Sequence, residues 1–290
     1  CSQMAIALHV VIPTHTTRHL YRTLLGYTRQ ERPPTTITVS CDTDDPEIGT
    51  LLERVVEETG TTLTQVSRAR HPEARLAQTR NNGIRSLIDR GLSGDDALLL
   101  VDGDCIPAPD FVRCHGERLE HGDFVLGNYI LLDERTTSEV PSDETMHAFL
   151  ETAPAEEQLE RMRRLERKAR THQLLRKFRL TKGHKPKILG ANTSVRASRL
   201  LAINGYDEEY MEWGYEDDDL GRRLYSSGAR STIAITQAVL YHQWHPTRKG
   251  TAWESGSVAK RFHSRLPVRC RHGIDNPYEQ HPVHERELTP

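Results

Sequence analysis

Three stretches of this sequence combine residue types and spacing that could do chemistry. The first is Leu98-Leu99-Leu100-Val101-Asp102-Gly103-Asp104, an apolar run that ends in two carboxylates flanking a glycine. Four large aliphatics in succession suit a strand buried on both faces of a parallel sheet, and the two acids then sit at its C-terminal end, where open α/β sheets bind ligands. The glycine lets the backbone turn, so both carboxylates can converge on a hard cation and the diphosphate it holds. An ordinary Asp-Gly turn at a strand end explains the same residues. The second stretch is Trp213-Gly214-Tyr215-Glu216-Asp217-Asp218-Asp219-Leu220, four consecutive acids where a helix begins. Acids there favour the helix dipole and can cap the helix, which accounts for Asp218 or Asp219 but not for all four. A carboxylate held at such a place can accept a proton from an incoming hydroxyl, and Trp213 and Tyr215 can stack on a sugar ring. The third stretch, Tyr241-His242-Gln243-Trp244-His245-Pro246, offers one or two imidazoles after a strand. Mixed imidazole and carboxylate ligation suits Mn²⁺ better than Ca²⁺.

The elements around these stretches alternate between strand and helix. Ala5 to Ile12 reads as a buried strand, followed by a helix over Arg18 to Gln30; Thr35 to Ser40 is a second strand, ending in Cys41-Asp42, before a helix over Glu47 to Thr59. A strand over Thr61 to Val66 and a helix over Arg75 to Arg90 lead to the apolar run, and this alternation predicts a mostly parallel sheet with right-handed crossovers. A helix near Asp110 to His121 and a strand over Asp123 to Leu132 follow. From Asp133 to Lys187 the chain is polar, and Glu156 to Lys187 is basic and helix-forming. Charge pairs along a solvated helix explain that segment, and a mobile insert reaching an anionic acceptor or a membrane surface is the alternative. Ile188 to Val195 resumes the core, short helices are expected over Arg199 to Ile203 and Asp219 to Ser227, and Ser231 to Tyr241 is the last expected strand. Beyond Lys249 the sequence reads as a helix plus an extended tail.

A chain of 290 residues and a formal charge of −2 argues against a globally basic nucleic-acid binder. Mean hydropathy is −0.64, and no stretch approaches the length of a membrane span, which leaves at most peripheral membrane contact. Five cysteines, Cys1, Cys41, Cys105, Cys114 and Cys270, form no CxxC pair, so neither a zinc site nor a full disulfide framework is expected and a cytoplasmic location is. The strand pattern begins directly after Met4, from which a native start there is expected, with Cys1 to Gln3 additional.

The order of the motifs resembles nucleotide-sugar-dependent glycosyltransferases of the GT-A fold, of the broad family-2 type. The similarity covers roughly Ala5 to His245 apart from Asp133 to Lys187 and is carried by Val10-Val11-Ile12-Pro13-Thr14, Thr79-Arg80-Asn81-Asn82-Gly83-Ile84, the DxD-like Asp102-Gly103-Asp104 and Gly190-Ala191-Asn192-Thr193-Ser194-Val195. Most specific is Asn204-Gly205-Tyr206-Asp207-Glu208 followed by Trp213 to Asp217, which looks like a galactosyltransferase-type C-terminal motif. The resemblance implies a Rossmann-like α/β single domain with a mostly parallel central sheet, helices on both faces, a helical insert and a C-terminal tail. It divides the chain into a nucleotide-sugar-binding half (4–132), the insert (133–187), an acceptor-binding and catalytic half (188–248) and a C-terminal helix and tail (249–290).

Carried onto this sequence, the resemblance implies that Pro13, Thr14, Asp42, Arg80 and Asp102 line the donor pocket, and that Asp104 and Asp102 with His242 hold Mn²⁺ or Mg²⁺, His245 being the weaker candidate. Asp217 matches the catalytic base and Glu216 its acceptor-binding neighbour, beside Trp213 and Tyr215. The expected reaction is an inverting hexosyl transfer from a nucleoside diphosphate sugar, UDP-sugar favoured, to a hydroxyl acceptor the sequence does not identify. The alternatives are a metal-dependent nucleotidyltransferase, in which the Trp213 to Asp217 motif has no place, and a non-catalytic sugar-binding protein of the same fold. Phosphatases with a nucleophilic strand-end aspartate are disfavoured, because Cys105-Ile106-Pro107 stands where they need a hydroxyl residue.

Overall fold

The alternating face pattern of the apolar runs decides the core. The computed structural model describes residues 6–211, 214–246, 257–264 and 266–290. The expected start at Met4 lies outside them. Strands β1 (Leu8–Thr14) and β4 (Ala97–Val101) are buried along their whole length. Leu98 and Leu100 join Val11 in one apolar cluster, whereas Leu99 and Val101 join Val10 and Ile12 in the other, as a two-residue period requires of a strand covered on both faces.

Between them the chain forms α1 (Leu20–Thr28), β2 (Thr36–Cys41), α2 (Pro46–Thr59), β3 (Leu63–Ser67) and α3 (Leu76–Asp89). Helix α2 shows why the local sequence folds this way. Pro46 occupies its first turn, Asp45 Oδ1 accepts the Glu47 N–H at 2.9 Å, and Gly60 ends it in the left-handed region at φ 67°. The chain continues through β5 (Cys105–Pro107), α4 (Phe111–Leu119), β6 (Phe124–Leu126), β7 (Ile130–Leu131), α5 (Glu134–Glu139), α6 (Met146–Thr152) and α7 (Glu156–Lys177). It then forms β8 (Asn192–Arg196), α8 (Ala197–Ala202), α9 (Glu216–Ser226), β9 (Ser231–Ile233), β10 (Leu240–His242), α10 (Ser257–His263) and β11 (His284–Leu288). The large sheet has the order β11-β3-β2-β1-β4-β8-β6-β9. Its β3-β2-β1-β4 block and the β6-β9 pair are parallel, while β8 runs antiparallel to β4 and β6. Leu20, Leu24, Leu52 and Phe111 from α1, α2 and α4 cover one face, and Ile84, Met162, Leu200 and Leu220 from α3, α7, α8 and α9 cover the other.

Three expectations are corrected. The single strand over Asp123 to Leu132 is two: β6 stays in the large sheet, and β7 joins a small sheet ordered β5-β10-β7. The break falls at Gly127, where any Cβ would collide with the Asn192 amide, and Asn192 Nδ2 donates to the Asn128 carbonyl at 2.6 Å. The strand over Ser231 to Tyr241 also divides, because Ala238 N–H bonds back to Ala234 O at 2.8 Å and turns the chain from the large sheet to the small one. The C-terminal tail is not merely extended: β11 pairs antiparallel with β3 and caps that sheet edge. Its side chains are mostly exposed, so it has no apolar alternation to read.

Residues after α10 return across α3. Ile274 packs beside Gly205, whose φ is +68° and whose Cβ, if present, would lie 2.6 Å from Ile274 Cδ1 and 2.7 Å from Asn81 Oδ1. Gly205→Ala therefore combines left-handed strain with overpacking and is expected to lower stability by about 2 kcal/mol or more. Urea denaturation checks this, and an unchanged midpoint contradicts it.

Candidate functional site

The parallel strands deliver their C-terminal ends to one edge of the sheet. Pro13 and Thr14 end β1, and the Asp42 N–H donates to Thr14 O at 2.7 Å, which holds the β2 end beside the β1 end. A side chain on Gly103 would meet Pro13 O at 3.1 Å and Thr14 Cβ at 3.3 Å, so the Asp102-Gly103-Asp104 turn rests directly on the end of β1. Asp42 is engaged by two groups that the sequence reading passed over. Arg68 ion-pairs with its Oδ1, and the Arg75 N–H donates to its Oδ2 at 3.3 Å. No sequence signal marked either one, since Arg68 reads as a solvated loop residue and Arg75 acts through its backbone.

Arg80 lies at the centre of the site. Its side chain is only 1% exposed, one guanidinium nitrogen is 2.8 Å from Asp102 Oδ1, and the other is 3.3 Å from Asp217 Oδ1 and 3.9 Å from Glu216 Oε1. The Tyr206 ring lies 5.2 Å from its Cζ, and Tyr206 Oη donates to Asp217 Oδ1 at 3.4 Å. The backbone N–H of Gly190 donates to Asp217 Oδ2 at 2.8 Å. Asp217 is thus fixed from three directions while remaining partly open to solvent. The motifs of α3 and of residues 204–208 interlock behind it: Asn81 Nδ2 donates to Tyr206 O at 2.8 Å and to Glu208 Oε1 at 2.9 Å, and the Tyr206 N–H donates to Asn81 Oδ1 at 3.0 Å.

The small sheet brings the third stretch to the first. In the antiparallel β5–β10 register His242 lies opposite Cys105, next to Asp104. His242 Nε2 is 3.6 Å and His245 Nε2 3.2 Å from Asp104 Oδ2, so both imidazoles face that carboxylate and His245 is the nearer. Gln243, between them, is buried; its N–H and its Nε2 donate to Asp104 O at 3.0 and 3.2 Å. Asp104, Cys105 and His242 offer ligand atoms that lie within 4.8 Å of one another, and His242 Nδ1 is buried without a hydrogen-bond partner. Burial would raise the Asp104 carboxyl, but His245 and His242 outweigh it and hold it low. Burial, and then Asp104 and Asp102, push the Cys105 thiol well up, and its soft sulfur suits Mn²⁺ less well than the Asp104 carboxylate and the His242 imidazole do. That oxygen and nitrogen set fits a divalent cation such as Mn²⁺. Asp102 is committed to Arg80, and its carboxyl is raised by burial, with Asp104 and Asp217 adding like charge against the pull of Arg80.

Helix α9 begins at Glu216, three residues before the expected start, so all four acids occupy its first turn. They have different partners. Glu216 is buried, accepts the Gly214 N–H at 2.9 Å, and is raised to about 7 by burial and by Asp217, against Arg80. Asp218 Oδ2 meets Lys187 Nζ at 2.5 Å. Asp219, fully buried, is neither cap nor site: it pairs with Arg222 and Arg223 at 2.6 Å each, and Arg223 donates to the carbonyls of Ile203 and Gly205 at 2.9 and 2.8 Å. Tyr215, at the helix cap with φ 64°, stacks on Phe262 at 4.7 Å, a neighbour no motif announced. Trp213 lies outside the described residues. Cys41, Cys105, Cys114 and Cys270 are free and buried.

Residues 170–243, well under half of the chain, match the family described as the N-terminal domain of galactosyltransferase. No curated protein matches the chain. Among solved structures, S. aureus TarS 1–349 in complex with UDP-GlcNAc superposes with a TM-score of 0.53 at 15% identity, covering 89% of this chain and 63% of that one. The same TarS fragment in complex with UDP gives 0.50 at 14% identity over 83% and 61% of the two chains. GalNAc-T7 with UDP, GalNAc and Mn²⁺ gives 0.52 at 14% identity over 84% and 45%. The fold is accordingly the GT-A glycosyltransferase fold, and the chain spans less than two thirds of the length of these structures.

Two measurements test this account of the acids. Asp219→Ala leaves Arg223 charged and buried without its partner and is expected to cost about 3–5 kcal/mol of stability in urea denaturation; a cost near zero contradicts it. Because the Glu216 carboxyl is raised above its ordinary 4.5, the folded protein keeps a proton that the unfolded chain loses, so its contribution to stability is full below pH 4.5 and is lost as pH rises to about 7. Glu216→Gln titrates in neither state. The stability of wild type minus that of the variant should fall between those two pH values and stay level outside them, and a flat difference throughout rejects the raised carboxyl.

Proposed function

We propose that this protein is a metal-dependent, inverting glycosyltransferase that moves a sugar from a UDP-sugar to an acceptor hydroxyl, with Asp217 as the general base. One observation carries the reading: Arg80 touches both Asp102, beside the Asp104 and His242 pair, and Asp217 at the start of α9, so the donor-side and acceptor-side acids meet at one buried cation. The UDP, UDP-GlcNAc and Mn²⁺ in the TarS and GalNAc-T7 structures support the choice of donor and metal.

Pro13, Thr14 and Asp42, at the adjacent ends of β1 and β2, take the nucleoside. Asp104 with His242 would hold the divalent cation, with His245 as a further ligand. When bound, the cation supplies Lewis-acid neutralisation of the leaving diphosphate. Asp217 accepts the proton of the acceptor hydroxyl as that oxygen attacks the anomeric carbon on the face opposite the diphosphate, so a single displacement inverts the configuration. Gly190 N–H, Tyr206 Oη and Arg80 hold the carboxylate in place for that proton transfer. Glu216 and Tyr215, with Trp213, form the acceptor side.

Thermal unfolding with a panel of nucleoside diphosphates, with Mn²⁺ and with chelator, tests the donor site. UDP should raise the unfolding midpoint only when metal is present, and Asp104→Ala should abolish that rise. Asp217→Asn should keep the UDP shift and lose about 10²–10⁴-fold in turnover, followed as release of UDP from the UDP-sugar. Undiminished turnover removes Asp217 from the role of base, and absence of any metal-dependent UDP shift overturns the donor assignment.

A further inference from the structure

Helix α7 changes character along its length. Its first turns are charge-balanced, with Arg163 paired to Glu156 at 2.8 Å, Arg167 to Glu160 at 3.0 Å and Arg170 to Glu166 at 2.6 Å. After Glu166 no Asp or Glu occurs until Asp207. Lys177, Arg179 and Lys182, at the helix end and in the following loop, are exposed, and among the described residues none has a carboxylate at ion-pair distance. Three large apolar side chains stand among them: Leu174 is 55%, Phe178 67% and Leu180 70% exposed.

This tip is built rather than frayed. Arg176 turns inward, its Cζ 3.6 Å from the centre of the Tyr225 ring and its nitrogens donating to Gly183 O at 2.7 Å and Lys185 O at 2.8 Å, so the loop is folded back on the helix. Arg179 adopts φ 59°, and the Leu180 N–H closes the helix on Leu175 O at 2.9 Å. Leu174 and Phe178 are one turn apart on one face, with Leu180 just past the cap. Protein interfaces are depleted in lysine, whereas apolar side chains ringed by Lys and Arg are what an anionic lipid surface attracts.

We propose that the end of α7 docks this protein on an anionic phospholipid surface, with Leu174, Phe178 and Leu180 entering the acyl boundary and Lys177, Arg179 and Lys182 facing the headgroup phosphates. The protein's formal charge of −2 makes this a local attraction, effective within a Debye length of about 8 Å. From the tip the chain runs directly to the site: Lys187 meets Asp218 at 2.5 Å and the Gly190 N–H meets Asp217 at 2.8 Å. The proposal stands on the tip alone and goes beyond the glycosyl-transfer reading.

Flotation of the full chain with vesicles tests it, using phosphatidylcholine alone and phosphatidylcholine mixed with phosphatidylglycerol in equal parts. Binding is expected only to the mixed vesicles and should weaken with added salt. The triple variant Lys177→Glu, Arg179→Glu and Lys182→Glu should lower the partition by about a hundredfold, and Phe178→Ser with Leu180→Ser by about tenfold or more. These side chains are exposed, so unchanged thermal unfolding of the variants confirms that folding is not the cause. No binding to the mixed vesicles, equal binding to both kinds, or wild-type binding by both variants overturns the proposal. So does a wild-type dimer that the serine variant converts to monomer without any vesicle binding, since the apolar face then belongs to a second copy. None of these readouts depends on UDP, so they fail or succeed separately from the donor-site test.

Discussion

A buried guanidinium is the constraint on which the site depends. Arg80 projects from α3 with almost no exposure, and its Nε has no hydrogen-bond partner. Desolvating a cation so completely is tolerable only against matched anions, and here the anions come from two distant stretches of sequence, Asp102 after β4 and Glu216 with Asp217 at the start of α9. The same pairing that satisfies the charge therefore fixes the distance between the two acidic stretches. Tyr206 adds its ring over the guanidinium and its hydroxyl to Asp217, and Asn81, the next residue of α3, grips the Tyr206 backbone. Site geometry and fold stability draw on one set of contacts.

The small sheet does the corresponding work for the other half. Without the turn at Ala234 to Val239, the strand that starts at Ser231 would continue in the large sheet and carry His242 away from Asp104. The turn moves β10 into register with β5, and a single residue pairing, His242 with Cys105, puts an imidazole beside the carboxylate. Gln243 then ties the Asp104 carbonyl to the same segment through both its backbone and its side chain. Backbone register, which is insensitive to side-chain flexibility, sets this contact.

What the sequence made legible follows from what each element has to bury. The β1 and β4 runs were readable because both faces are covered, and the acids after β4 were readable because the apolar run stops so sharply at Asp102. Motif order grouped Asp102 with Asp104 and His242; in the structure Asp104 faces His242, whereas Asp102 pairs with Arg80, which also holds Asp217, a link between the two acidic stretches that no motif announced. Gly127 and Asn192 are 65 positions apart, and only their contact shows why a continuous apolar stretch must split. β11 was not readable because its stabilisation lies in the backbone ladder to β3 and in charges such as Glu285 with Arg90, none of which leaves an apolar period. The hold of Arg68 on Asp42 and of Arg223 on Asp219 was invisible for a related reason: a charged side chain looks solvated until its partner's position is known.

Charge balance distinguishes the two halves of the site. Asp102, Glu216 and Asp217 gather around the buried Arg80 guanidinium, and Asp104, the second acid of the same turn, faces the imidazoles of His242 and His245. The carboxyls of Glu216 and Asp102 are both raised, by burial first and by a neighbouring carboxylate next among the raising influences. A donor diphosphate would add still more negative charge to that edge, and Arg80 is already committed to its carboxylates. A divalent cation held at Asp104 would offset that added charge. The metal dependence proposed for this protein is in keeping with that distribution of charge.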